Sequence, residues 1–206
     1  MSVKLQKGQK VNLSKDHAGL SRIVVGLGWD EVEQPRGFFS PKPQAIDCDA
    51  FALMLQNGKL MAKEDIVYFG NLTHYTRSVQ HMGDNLTGEG DGDDEQIVID
   101  LNNVPQKYDK IVLAVNIYRA YERKQHFGMI KNAFIRLVDA RTNSEMCIYN
   151  LTENYSGKTA MLFGEVYRYN GEWKFNAIGQ GTGDGSIGDF AQRQVGRPSG
   201  LRKTSE

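Results

Sequence analysis

The chain has 206 residues and a mass of 23.1 kDa, enough for one domain with a substantial core. Its 25 basic residues balance 25 acidic ones, so net charge gives no case for nucleic acid as a partner. Apolar residues make up 40% of the chain, no stretch approaches the length of a membrane-spanning helix, and the opening MSVKLQKGQK lacks the apolar core of a signal peptide. The expectation is a soluble, cytoplasmic protein.

Val3–Leu5 and Gln9–Leu13 alternate around Gly8 and read as a hairpin. Ile23–Trp29 reads as a buried strand in which Gly26 and Gly28 signal a bulge or a close backbone approach, and Asp30 ends it. Glu31–Ile46 contains Pro35, Pro41 and Pro43 and reads as a long surface loop. Asp47–Leu55, DCDAFALML, predicts a strand with Asp47 and Asp49 on one face and Cys48 and Ala50 on the other. After the Asn57–Gly58 turn signal come short strands at Ile66–Phe69, Gln96–Leu101, Lys110–Tyr118, Ala133–Val138, Glu145–Leu151, Ala160–Tyr169 and Trp173–Ile178. Only Ala120–Gln125 and Ile187–Gln194 suit short helices. Many short strands without βαβ alternation predict an all-β fold, a β-sandwich of two sheets with long loops and few short helices. The domain is expected to span residues 1–195, with 196–206 a polar, disordered tail. Cys48 and Cys147 lie in strand-like contexts and read as buried thiols.

The chemistry concentrates in Gly83–Glu95, GDNLTGEGDGDDE, and no Lys or Arg occurs between Arg77 and Lys107. Crowded carboxylates repel and raise one another's pKa, a cost relieved by full solvation or by a hard cation. Calcium takes six to eight oxygen ligands in flexible geometry. Asp84, Asn85, Glu89, Asp91, Asp93, Asp94 and Glu95 offer such oxygens, and the interleaved glycines allow the loop to curl around an ion. With no Cys or His inside the block, zinc and copper are disfavoured. The spacing is not that of an EF-hand, because Leu86 and Gly88 fall where that loop places ligands. Asp47 and Asp49 are candidates for a second cation site or a contribution to the first, with exposed strand-end charges as the plain alternative; Asp30 is a weaker candidate.

GDNLTGEGDGDDE resembles the signature of the TerD family, the tellurium-resistance and general-stress proteins. The opening VKLQKGQKVNLSK (Val3–Lys15), VGLGWD (Val25–Asp30), DCDA (Asp47–Ala50), NAFIR (Asn132–Arg136), AMLFGEVYR (Ala160–Arg168) and GEWKFNAIGQG (Gly171–Gly181) extend the resemblance along most of the chain. It implies a calcium-binding β-sandwich without established enzymatic activity. Its expected partners are calcium ions and other stress-response proteins, with association at the inner-membrane surface as a further option. From Thr182 onward the sequence departs from the glycine- and leucine-rich ending of the family.

Two other classes stay open: a metal-dependent enzyme of phosphoester chemistry, and a peripheral membrane module whose calcium bridges to anionic lipid. Against the first, the acidic block holds no obvious acid or base. His17, His74, His81 and His126 are scattered and read as surface or loop residues. A G-x-G-x-x-G match at Gly183, Gly185 and Gly188 follows no βαβ unit and reads as accidental, its glycines letting the chain pack back before a short helix.

Overall fold

The structure is a computed structural model that describes residues 2–31, 44–83 and 92–195. The expected tail and most of the proline-bearing loop lie outside the described residues. Two six-stranded sheets pack face to face. The first carries, from edge to edge, β1 (Val3–Leu5), β10 (Ser144–Asn150), β9 (Ile130–Asp139), β3 (Arg22–Glu31), β7 (Glu95–Asp100) and β6 (Val79–His81). The second carries β2 (Lys10–Asn12), β12 (Glu172–Thr182), β11 (Ala160–Tyr169), β8 (Lys110–Ile117), β4 (Cys48–Leu55) and β5 (Ile66–Val67). The sandwich expected from the strand pattern is thus observed.

Alternation along each strand builds the core. Ile23, Val25 and Leu27 of β3, Ile97 and Ile99 of β7, and Ile135 and Leu137 of β9 turn inward. They meet Cys48, Ala50, Ala52 and Met54 of β4 and Ile111, Leu113 and Val115 of β8. Both cysteines are free and buried as expected, and burial together with the charge of Glu95 pushes the Cys48 thiol well up.

The outer face of the second sheet is apolar over part of its area. Phe51, Leu53, Val112 and Ala114 are covered there by Phe190 and Ala191 of α3 (Ile187–Val195). The Phe51 and Phe190 rings meet edge to face at 5.2 Å. Gly183 and Gly185 thus lie in the segment that returns the chain to the sandwich before a short helix, as the glycines suggested, while Gly188 lies within that helix.

Several expectations need correction. The opening strands form no hairpin: β1 pairs in parallel with β10 in one sheet, while β2 pairs with β12 in the other. Alternation cannot distinguish these arrangements, because each partner lies far away in sequence. β3 runs one residue past Asp30, through a bulge between Gly28 and Asp30. β5 stops at Val67, and β6 and the one-turn α1 (Leu13–Asp16) were not anticipated. The Asn57–Gly58 turn is confirmed, with φ of 50° and 72°.

Because Phe190 is 1% exposed against Phe51, Phe190→Ala should lower stability by about 3 kcal/mol in urea unfolding. The sheets should persist, with unchanged strand signal by circular dichroism before the transition.

Candidate functional site

Of the acidic block, Asp84, Asn85, Glu89 and Asp91 lie outside the described residues. Its last three carboxylates, Asp93, Asp94 and Glu95, lead into β7, and each is held differently.

Asp93 lies over the outer face of the first sheet. Its carboxylate accepts two bonds from the Arg136 guanidinium on β9, at 2.6 and 3.0 Å, and a third from Gln96 at 3.0 Å. Asp93 raises the Arg136 pKa through these bonds. Gly26 makes room: a Cβ there would overlap the Asp93 carboxyl, and one at Gly28 would overlap the Phe134 ring. The close approach expected at Gly26 and Gly28 is therefore real, and the bulge lies beside it.

Asp94 is buried. Its amide donates to Leu27 O at 2.8 Å, and its Oδ2 accepts from the Trp29 amide at 2.7 Å. Burial pushes the Asp94 carboxyl up, the Trp29 bond opposes this, and the nearby charges of Asp30 and Asp93 raise it further. Beside it is a cavity of about 360 Å³ lined by Asp30, Asp94, Asn132 and Asn150, with Trp29, Gly92 and Phe134. Asn132 has a φ of 54°, a left-handed conformation that Asn tolerates, and it donates to Asp30 Oδ2 at 2.7 Å.

Glu95 turns inward. One carboxylate oxygen accepts from the Ala50 amide on the opposite sheet and lies 3.5 Å from His81 Nε2. The Gly83 amide donates to His81 Nδ1 at 3.1 Å, which places the ring proton on Nε2, 3.1 Å from Ala50 O. His81 thus contacts both the first and the last residue of the block. It is 4% exposed and lies on β6, which corrects its reading as a surface or loop residue; His74 does lie in a loop, but a fully buried one.

Asp49 lies in β4, in the row of Phe51 and Leu53, while Asp47 precedes the strand. The row of Asp49 is the outer face of the second sheet, whereas Asp93 lies on the outer face of the first. Asp47 lies 3.5 Å from Arg123 of α2 (Ala120–Arg123). Among the described residues no three His, Cys, Asp or Glu side chains form a metal-binding group, so the structure does not bring Asp47 and Asp49 together with Asp93 and Asp94.

A second polar cluster was missed by sequence reasoning. Lys107 donates to the Tyr75 hydroxyl at 2.8 Å, the Tyr75 and Tyr108 hydroxyls are 2.8 Å apart, and Tyr108 donates to Asp65 at 2.5 Å. Asp65 also meets His74 Nε2 at 3.3 Å, while His74 Nδ1 accepts from the Thr76 amide at 3.3 Å and lies 2.7 Å from the Thr76 hydroxyl. Nothing in local sequence signals this chain, because its members come from three separate segments.

Comparison with known proteins places these features in a family. The model of the TerD domain matches residues 1–193. This chain belongs to the TerD family. It is 53% identical over 199 residues to stress response protein SCP2 of Bacillus subtilis, covering 95% of this chain and all of that protein. It is 48% identical to tellurium resistance protein TerD of Serratia marcescens, covering 93% and 97% of the two chains. A solved Streptomyces coelicolor homologue of telluride resistance protein TerD has the same fold, with a TM-score of 0.63 at 20% identity over 87% of this chain and all of that one. The match runs past Thr182, where the sequence departs from the glycine- and leucine-rich ending, to residue 193. Arg136, the residue that grips Asp93, belongs to the NAFIR segment of the TerD resemblance, so the signal for it was present without a partner.

Two outcomes follow. Gly26→Ala should displace Asp93 from Arg136 and cost about 1–3 kcal/mol in denaturant unfolding. Burial depresses the His74 pKa below its ordinary 6.5. The unfolded chain therefore binds this proton first, and the His74 contribution to stability, complete above 6.5, is lost as pH falls below it. Urea midpoints measured at several pH values should fall on acidification, and His74→Gln should flatten that dependence.

Proposed function

We propose that this protein is a stress-response protein of the tellurium-resistance type that binds calcium through its acidic block and acts as a calcium-dependent interaction module. The observation that supports it best is the Asp94 cavity. Its polar lining from Asp30, Asp94, Asn132 and Asn150 offers carboxylate and amide oxygens, the hard donors calcium prefers. The raised Asp94 carboxyl marks a place where negative charge is costly without a cation. Asp94 is the described member of the block best placed to contribute a ligand, with Asp84, Asn85, Glu89 and Asp91 as the further ligands the sequence suggests. Asp93 orients the block through Arg136, and Glu95 anchors it to the opposite sheet. Calcium would supply charge neutralisation, letting closely spaced carboxylates present one ordered surface to a partner. The names of the relatives support the stress-response setting. The reading as a module is supported by the oxygen-rich character of the described residues around the cavity, which suits ion binding.

Calcium at about a hundred times its dissociation constant adds roughly 2.7 kcal/mol to stability. The melting temperature should therefore drop in EDTA and recover more fully with calcium than with equimolar magnesium. Asp94→Asn keeps an acceptor for the Trp29 amide and removes the charge, so calorimetry should show weakened calcium binding to a protein that still folds without metal. Unchanged melting in EDTA and calcium would refute the reading.

A further inference from the structure

The outer face of the second sheet is only partly covered. α3 lies over Phe51 and Leu53, and beside its first residue, Ile187, the face opens into a groove of about 800 Å³. Small-molecule sites typically occupy roughly 300–1,000 Å³. The floor changes character where the helix cover ends. Asp49 on β4 and Asn116 on β8 stand opposite each other in register, and both are buried. They continue the rows occupied by Phe51 and Leu53 on one strand and by Val112 and Ala114 on the other, so an apolar face becomes carboxylate and amide.

The walls carry exposed aromatic rings held in fixed positions. Tyr75 is 61% exposed, yet its hydroxyl is tethered through Tyr108 to the buried Asp65 and is capped by Lys107. A ring anchored in this way loses little freedom when a ligand stacks on it, which is how tyrosine platforms bind at low entropic cost. Tyr118 is 42% exposed, with the Arg123 guanidinium 5.1 Å from its ring centre. Phe69 is also exposed and is braced edge to face by Tyr68. Tyr121 donates its hydroxyl to Gly183 O and lies against Gly185, which lines the groove.

Charge decides what such walls would hold. Lys63 and Arg119 stand on the rim with Glu64 and Glu122, and Arg119 and Glu122 pair at 2.5 Å. An anion would meet the Glu64 carboxylate, and a compact cation would meet Lys63. A neutral ring bearing hydroxyl groups suits both, donating to carboxylates, accepting from ammonium and amide N–H, and laying its C–H face on an aromatic ring. We propose that this groove is a carbohydrate site for a short neutral oligosaccharide, with Tyr75, Tyr118 and Phe69 as stacking surfaces and Asn116 and Glu64 as hydrogen-bonding groups. The site is separate from the calcium reading, since its rings and rim belong to the second sheet and its loops.

The test is a nitrogen–proton NMR titration of the full chain with maltotriose, cellotriose and chitotriose, beside AMP and spermidine as anionic and cationic comparators. At least one trisaccharide should give saturable shifts confined to groove amides, with neither comparator doing so. Tyr118→Ala should weaken that binding about tenfold. Phe69→Ala, a change confined to the rim, should weaken it too and guards against a Tyr118 variant that disturbs Arg123. Tyr75→Phe, which keeps the ring and removes its tether, should weaken it less than Tyr118→Ala does. Absence of saturable shifts with all three sugars, preferential binding of AMP or spermidine, or undiminished binding by Phe69→Ala would each overturn the proposal.

Discussion

Glu95 carries a carboxylate into the space between two apolar sheets, where a charge without partners would be prohibitive. The Ala50 amide on the opposite sheet supplies a hydrogen bond, and His81 lies beside it. This contact ties the start of β7 to the start of β4. Asp94 then holds the Trp29 amide, and Asp93 reaches over the Cβ-less Gly26 to Arg136. Three successive carboxylates thus take three directions: between the sheets, onto a neighbouring strand, and across the outer surface. Their partners lie on β4, β3 and β9, so the exit of the acidic block is fixed to both halves of the sandwich.

The two outer faces consequently differ in character. The face of the first sheet at this end is ionic, organised by Arg136 between Asp93 and Glu145. On the second sheet α3 seals an apolar patch, and beside it the face opens into a groove with aromatic walls. Both faces arise from the same alternation that buries the core, since every second residue of a strand must point away from it.

Periodicity exposed most of the strands, because a half-buried strand repeats every two residues wherever its partners lie. The Asn57–Gly58 turn was legible for a local reason, its need for positive φ. Gly26 and Gly28 announced a close approach, although what approaches came from residues far along the chain. Pairing was hidden where it is non-local: nothing near Val3 points to Cys147 as its neighbour. The burial of His74 and His81 was not legible because burial of a polar ring depends on partners such as Asp65 and Glu95, which single-residue reasoning cannot assemble. The acidic block was visible as composition, but its division into ligand candidate, orienting group and buried anchor required the strands of the fold.

The separation of β1 and β2 into different sheets bears on how the molecule is made. Each is the terminal strand of its sheet, and each waits for a partner near the other end of the chain, β10 and β12 respectively. Long-range pairings of this kind close slowly, since the intervening chain must be ordered first. Until they close, β10 and β12 present unpaired edges of the sort that template association between copies. The first dozen residues are therefore a double seal: a chain clipped of them would leave both sheets open at once and would also lose Leu5 from the core.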